Sequence, residues 1–302
     1  MQVLTLLKRS SIMVSMNRLS TSQSAQVIGC LVEGMSIRAT VGVTGVAKNT
    51  IVKLLADLGQ ACSEYQDGAF TNLSCKVIEA DEIWSYCYSK QKNVPDEFQG
   101  EFGYGDVWTW TAIGADTKLV PSWLVGERTM ADCYTFLADL KSRLKNARIQ
   151  LSTDGLGHYL RVVDGLWADN IDYAILHKLY GNEKQDTPER KYSPSVCTGI
   201  DIRVIAGDPD PDRISTSYVE RQNLTMRMGM RRFTRLTNAF SKKVENLAHA
   251  VSLHFMYYNF CRVHESLTIK DENGKNIKRT PAMAAGIAKY PWSLTQLAGL
   301  LD

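Results

Sequence analysis

The chain has 302 residues, 44% of them hydrophobic, with 35 Lys+Arg against 32 Asp+Glu and a formal net charge of +3. That much apolar material builds a sizeable core, which excludes a disordered chain or a mini-protein and fits one large domain beside a smaller one. No apolar run approaches the roughly 18 residues of a membrane-spanning helix, and Val3 to Leu7 is too short and wrongly flanked for a secretory signal, so a cytoplasmic protein off the membrane is expected.

Met1 to Met16 holds three methionines and no helical or strand period, and residues 1–16 read as a loose extension. From Ala25 a first helix runs to about Gly34. Ser36 caps a short second helix, Thr44-Gly45-Val46 makes a turn, and a third helix runs from about Ala47 to Leu58, ended by Gly59. Three short helices with a tight turn before the last spell a helix-turn-helix over residues 17–70, with a plain helical bundle as the other reading. In the first of these, Lys48, Asn49 and Thr50 open the last helix and face base edges.

From Cys75 the period changes to two. Cys75 to Tyr88, Asp106 to Ala112 and Lys118 to Gly126 read as strands, with Gly114-Ala115-Asp116-Thr117 turning between the last two. Thr129 and Asp132 form a capping pair for a helix carrying Cys133, Leu137, Leu140 and Leu144. Ile149, Leu151 and Thr153 alternate in a fourth strand that stops at Asp154-Gly155. A helix over Tyr159 to Trp167 and a fifth strand over Ile171 to Lys178 complete a βββαβαβ order. Trp84, Trp108 and Trp110 lie on strands and are expected in the core.

Residues 181–215 hold four of the eight prolines, at Pro188, Pro194, Pro209 and Pro211, and read as an insertion with an extra strand over Ile200 to Ile205. The chain then turns helical and basic. Arg221, Arg227, Arg231, Arg232, Arg235, Lys242 and Lys243 occur without an intervening acid. Such a run is either a solvated helix face or, being single-signed and beside Phe233 and Phe240, a surface for a polyanion. Leu247, Ala248, Val251, Phe255 and Tyr258 repeat at helical spacing as core.

The seven cysteines form no CxxC pair and the five histidines no HxxxH or HExxH, so a metal here must come from carboxylates. The cysteines read as reduced core residues. Asp81 on the first strand, Asp154 closing the fourth and Glu220 on the following helix are candidates to hold two divalent ions, and hard oxygen donors suit Mg²⁺. Each acid has a plainer role open to it. Asp154-Gly155 is also a turn, Ser217-x-x-Glu220 is also a capping box, and Glu79 and Glu82 compete with Asp81.

Asp81-Glu82-Ile83-Trp84-Ser85, Gly105-Asp106-Val107-Trp108-Thr109-Trp110, Thr153-Asp154-Gly155 and Ser215-Thr216-Ser217-Tyr218-Val219-Glu220-Arg221-Gln222-Asn223 resemble the DDE-type transposases of the insertion sequence 1 family. So do the run from Arg231 to Ser241 and the stretch Tyr258-Asn259-Phe260-Cys261-Arg262-Val263-His264, and the likeness spans Met16 to Ala288. It implies an α/β fold: a ribonuclease-H-like (retroviral-integrase-like) mixed sheet with flanking helices over 71–268, preceded by the all-α helix-turn-helix domain and followed by a tail over 269–302. It further implies Asp81, Asp154 and Glu220 as the catalytic and metal-holding triad, Mg²⁺ with Mn²⁺ as substitute, double-stranded DNA as partner, and a homo-oligomer on DNA. The cysteine zinc finger of some members is missing.

Under that resemblance Asn223 and Arg227 share the helix face of Glu220 and position phosphates, with Arg221 in the same role or simply solvated. Arg231, Arg232, Arg235, Lys242 and Lys243 add sequence-independent affinity. His264 is open between proton transfer, phosphate contact and a structural bond at a helix end. The competing functions are a related ribonuclease-H-like nuclease and a non-catalytic DNA-binding repressor.

Overall fold

A computed structural model describes residues 18–180, 197–234 and 238–302. The loose extension expected over 1–16, most of the proposed insertion's first half and Arg235 lie outside the described residues. Three helices come first: α1 (Thr21–Val32), α2 (Ile37–Thr44) and α3 (Lys48–Ala69). Ser20 and Ser36 cap the first two through hydroxyls that accept the amides of Gln23 and Ala39. The third continues for 22 residues, well past the expected stop at Gly59. Gly59 is buried where another helix crosses, and a Cβ there would fall 2.5–2.7 Å from atoms of His249. Its missing side chain permits contact between helices and does not end one.

The expected strands follow as β1 (Val77–Cys87), β2 (Gly105–Gly114), β3 (Ser122–Gly126), β4 (Gln150–Thr153) and β5 (Asp172–Tyr180). Between them stand α4 (Met130–Arg143) and α5 (Gly157–Trp167), and β6 (Cys197–Ala206) contains the extra strand. The third strand starts later than expected: Lys118 sits at φ 58° and Pro121 has no amide to donate. The sheet order is β3-β2-β1-β4-β5-β6, with β1, β4 and β5 parallel and the other pairs antiparallel. This is a six-stranded mixed sheet with helices on both faces.

The pleat sends alternate residues of β1 to opposite layers. Ile78 and Ala80 join Trp110, Phe136, Leu137, Tyr159 and Val163 on the α4–α5 side. On the other side, Ile83, Val107 and Ile113 join Val219 and Met226 of α6 (Ser217–Gly229) and Leu247, Val251 and Phe255 of α7 (Val244–Met256). Trp110 is fully buried, while Trp84 and Trp108 are half-buried. The basic run is not one helix: α6 stops at Gly229, the chain turns at Arg231–Phe233, and α7 begins only at Val244.

Contrary to the expected tail, residues 280–302 pack against the core, after an exposed hairpin that ends at Arg279. A hairpin of β7 (His264–Lys270) and β8 (Asn276–Arg279) leads to α8 (Pro281–Ala284) and α9 (Leu294–Ala298). Leu297 and Ala298 are buried in the main core with Ile28 and Val32 of α1. No described helix is long and apolar enough to cross a membrane.

His254 on α7 is 5% exposed, with Nε2 3.3 Å from Gln222 Nε2. Burial, reinforced by nearby Arg262, pushes its imidazole down to about 3. The folded chain therefore holds it neutral, whereas an unfolded chain takes up a proton below about 6.5. Its contribution to stability is complete above that pH and is lost as pH falls toward 3, at about 1.4 kcal/mol per pH unit. Urea unfolding across this range should show a slope shallower by one proton in His254→Gln; an unchanged slope would remove His254 from the acid sensitivity.

Candidate active site

β4 pairs with β1 only as far as Ala80 opposite Thr153, and Asp154 follows directly. Asp81 and Asp154 are thus brought side by side at the carboxyl end of a parallel strand, where open α/β sheets place their ligands. Asp81, Glu82 and Asp154 each offer a carboxylate oxygen there, all within 4.8 Å of one another. The cleft above them is also lined by Glu220, Asn223 and Arg227 of α6, by His177 and Lys178 of β5, and by Arg128. The expected triad therefore shares one cleft, but the tight cluster holds Glu82 in place of Glu220.

Glu220 is held by two donors. Thr216 Oγ1 gives a hydrogen bond to Oε1 at 2.8 Å, and Lys178 forms an ion pair with Oε2. The alternative capping box does not form, because Thr216 is the N-cap and Ser217 the first helical residue. The cap comes instead from the sheet: the 1% exposed Glu79 accepts the amides of Tyr218 at 2.7 Å and Val219 at 3.0 Å through one carboxylate oxygen. Burial pushes the Glu79 carboxyl up, and the two amides, Ser215 and Lys118 pull it back. Glu79 therefore fixes where α6 starts, and with it Glu220. Glu79→Ala should cost about 2 kcal/mol in urea unfolding and speed exchange of the Tyr218 and Val219 amides. Glu79→Gln, which keeps one acceptor oxygen, should do neither; equal losses in both variants would refute the cap.

Asp81 points toward α6, where Asn223 Nδ2 donates to its Oδ2 at 2.8 Å and the Glu82 amide to its Oδ1 at 2.8 Å. Burial first, then Glu82, Asp154 and Glu220, push its carboxyl up to about 8. Glu82 leaves the strand on the other face, paired with Arg128 at 2.5 Å and accepting from Tyr159 at 3.3 Å. Arg128 in turn lies 4.6 Å from the Trp108 ring centre. Asp154 Oδ1 accepts the Leu156 amide at 3.0 Å, so this residue both makes its turn and faces the cluster. Gly155 leaves room for the His177 ring, since a Cβ would fall 1.7 Å from its Cε1.

Other expected site residues are dispersed. Lys48 and Asn49 are exposed and Thr50 half-buried at the start of α3. Arg221, Arg231, Lys242 and Lys243 are exposed, and Arg227 is half-buried in the cleft. Asn223 is buried and its amide is engaged by Asp81. Arg232 turns inward to Ser241 Oγ at 2.7 Å, and burial lowers its affinity for a proton. His264 stands outside the cleft lining, edge-on to Tyr258 with ring centres 4.7 Å apart. Sequence reasoning named Glu79 only as a rival to Asp81 and missed Arg128, His177 and Lys178; of these only His177 has a hint, in the Asp154-Gly155 pair that leaves it space.

Fold and site define a mixed α/β protein with an acidic cleft whose donor set suits a divalent cation. Three carboxylates crowd together and one is forced toward its neutral form, so a hard cation would relieve both the crowding and the desolvation. No protein-family profile and no curated protein sequence matches the chain. Among solved structures, a Mos1 mariner paired-end complex with Mn aligns at 9% identity and a TM-score of 0.24, over 55% of this chain and 62% of that one. A pre-cleavage Mos1 transpososome aligns at 10% and 0.29, over 82% and 80% of the two chains. A piggyBac transposase synaptic complex with hairpin DNA aligns at 11% and 0.35, over 99% and 74%. The chain spans less than two thirds of the first of these.

Proposed function

We propose that the chain is a DDE-type transposase of the insertion sequence 1 family, with a ribonuclease-H-like catalytic unit, that cleaves DNA at the ends of a mobile element and joins them to target DNA. The observation that carries this reading is the meeting of Asp81 and Asp154 at the end of β4, with Glu220 on the wall of the same cleft. Asp81 and Asp154 would hold Mg²⁺, or Mn²⁺ in its place, with Glu82 or Glu220 completing the set. A pair of such ions held there would supply activation of the attacking oxygen of a phosphodiester displacement and stabilisation of the leaving one.

The chain's own residues do the rest. Asn223 orients Asp81, Thr216 and Lys178 orient Glu220, and Arg227 and Arg128 set positive charge on the cleft wall against a phosphate backbone. Water opens the strand at the element end, and the freed 3′-hydroxyl then attacks a target phosphodiester, so one P–O bond forms as another breaks and no covalent enzyme intermediate arises. Arg221, Arg231, Lys242 and Lys243, with Arg235, add affinity that falls with salt at a log-log slope near about −0.9 per phosphate. Residues 17–70 act as a helix-turn-helix in which Lys48, Asn49 and Thr50 read the terminal inverted repeat. Two ends must be brought together, so the protein works as a homo-oligomer on double-stranded DNA, in the cytoplasm.

The test is a joining assay with a labelled element end, Mg²⁺ and a plasmid target. Strand-transfer product is the expected result. Cleavage alone would indicate another nuclease of the same fold, and a mobility shift without cleavage a DNA-binding repressor.

A further inference from the structure

The six-stranded sheet has one long open edge. At the other edge β3 has only five residues, but β6 has ten, and its outer side meets no strand among the described residues. An edge of this kind is a template for pairing with another chain, and proteins that stay single usually shorten or twist it. Here it carries aliphatic residues on one face: Ile200 is 57% exposed, Ile202 47% and Val204 56%. Asp201 and Arg203 alternate with them on the opposite face, ion-paired at 3.0 Å and both exposed.

This pattern is complementary to itself. When two β6 strands run antiparallel about a two-fold axis through Ile202, Ile202 meets its own copy, Ile200 meets Val204 and Asp201 meets Arg203 of the second copy. One face then carries a closed row of six aliphatic side chains and the other two cross-strand ion pairs, with no like charges opposed. A polyanion does not fit this strip, where the aliphatic side chains offer no donor and the charge of Arg203 is balanced by Asp201. We propose that β6 is the interface through which two copies of this chain associate, joining their sheets edge to edge. The proposal rests on β6 alone and not on the reading of the cleft.

The experiment is sedimentation analysis of the full chain without DNA over a concentration series, on wild type, Asp201→Arg, Arg203→Asp and Ile202→Lys. Wild type should be a dimer. Each variant should weaken association by about tenfold or more, because like charges now face each other, or a lysine its own copy, across the axis. An equimolar mixture of Asp201→Arg with Arg203→Asp should recover the dimer, since in that pairing every cross-strand contact is again between opposite charges. The pair within each strand stays broken in both variants, so recovery on mixing arises only across copies. A monomeric wild type, variants as dimeric as wild type, or a mixture no stronger than its components would each overturn the proposal.

Discussion

Asp154→Asn is expected to lower strand cleavage and joining by about a thousandfold or more, roughly 4 kcal/mol of barrier, while leaving affinity for element-end DNA nearly unchanged. The substitution separates the two roles of this residue. Asn keeps an oxygen that can accept the Leu156 amide, so the turn after β4 survives. What it loses is a charge beside Asp81 and Glu82, and with it an anionic donor for a divalent ion.

The same change has a readout that does not depend on activity. Without a divalent cation burial, and after it the repulsion of Glu82, Asp154 and Glu220, pushes the Asp81 carboxyl up to about 8. Asp154→Asn removes part of that repulsion, so the cation-free variant should melt no lower than wild type. Added Mg²⁺ or Mn²⁺ should raise the melting temperature of wild type by mass action, and that of the variant markedly less. Retained nicking, or an undiminished shift with Mg²⁺, would take Asp154 out of the site.

These residues also show what a sequence can and cannot carry. Asp154 was legible because Asp-Gly marks where β4 must stop, whereas strand periodicity put Asp81 on β1 but left it in competition with Glu79 and Glu82. The helix starts at Ser36 and Thr129 were legible because capping is a local matter, settled within one turn. The division of labour among Glu79, Asp81 and Glu82 was not. The pleat decides only that Glu79 and Asp81 face one way and Glu82 the other. What waits on each side, the α6 amides for Glu79 and Arg128 for Glu82, comes from segments 46 to 140 residues away.

Arg232 failed for a similar reason. In a run of basic residues each looks solvated, but the chain turns at Arg231–Phe233 and folds this one inward to Ser241. His177 gave no local signal, because a histidine within a strand looks the same whether or not a glycine next to an acid has been left bare for it. The C-terminal segment misled through its short elements: a helix of five residues has too little period to register, although Leu297 fills the core completely.

Gly59→Ala should destabilise the protein by about 3 kcal/mol, although alanine is the better helix former and would gain about 1 kcal/mol in an open helix. Gly59 lies inside α3, so the propensity gain is available, and packing has to outweigh it. The added Cβ would stand 2.6 Å from His249 Cα and 2.7 Å from His249 O. Both atoms belong to the backbone of α7, so no rotamer change relieves the clash and the two helices must move apart. That motion also lengthens the 2.7 Å bond from Ser252 Oγ to Gly59 O, which pins the same crossing. A fall of about 6–12 °C in melting temperature is expected for a chain of this size. An alanine variant as stable as wild type would show that α3 and α7 do not approach this closely. Because α3 also carries Lys48, Asn49 and Thr50 at its far end, the helix-turn-helix proposed above predicts that the variant also binds element ends more weakly.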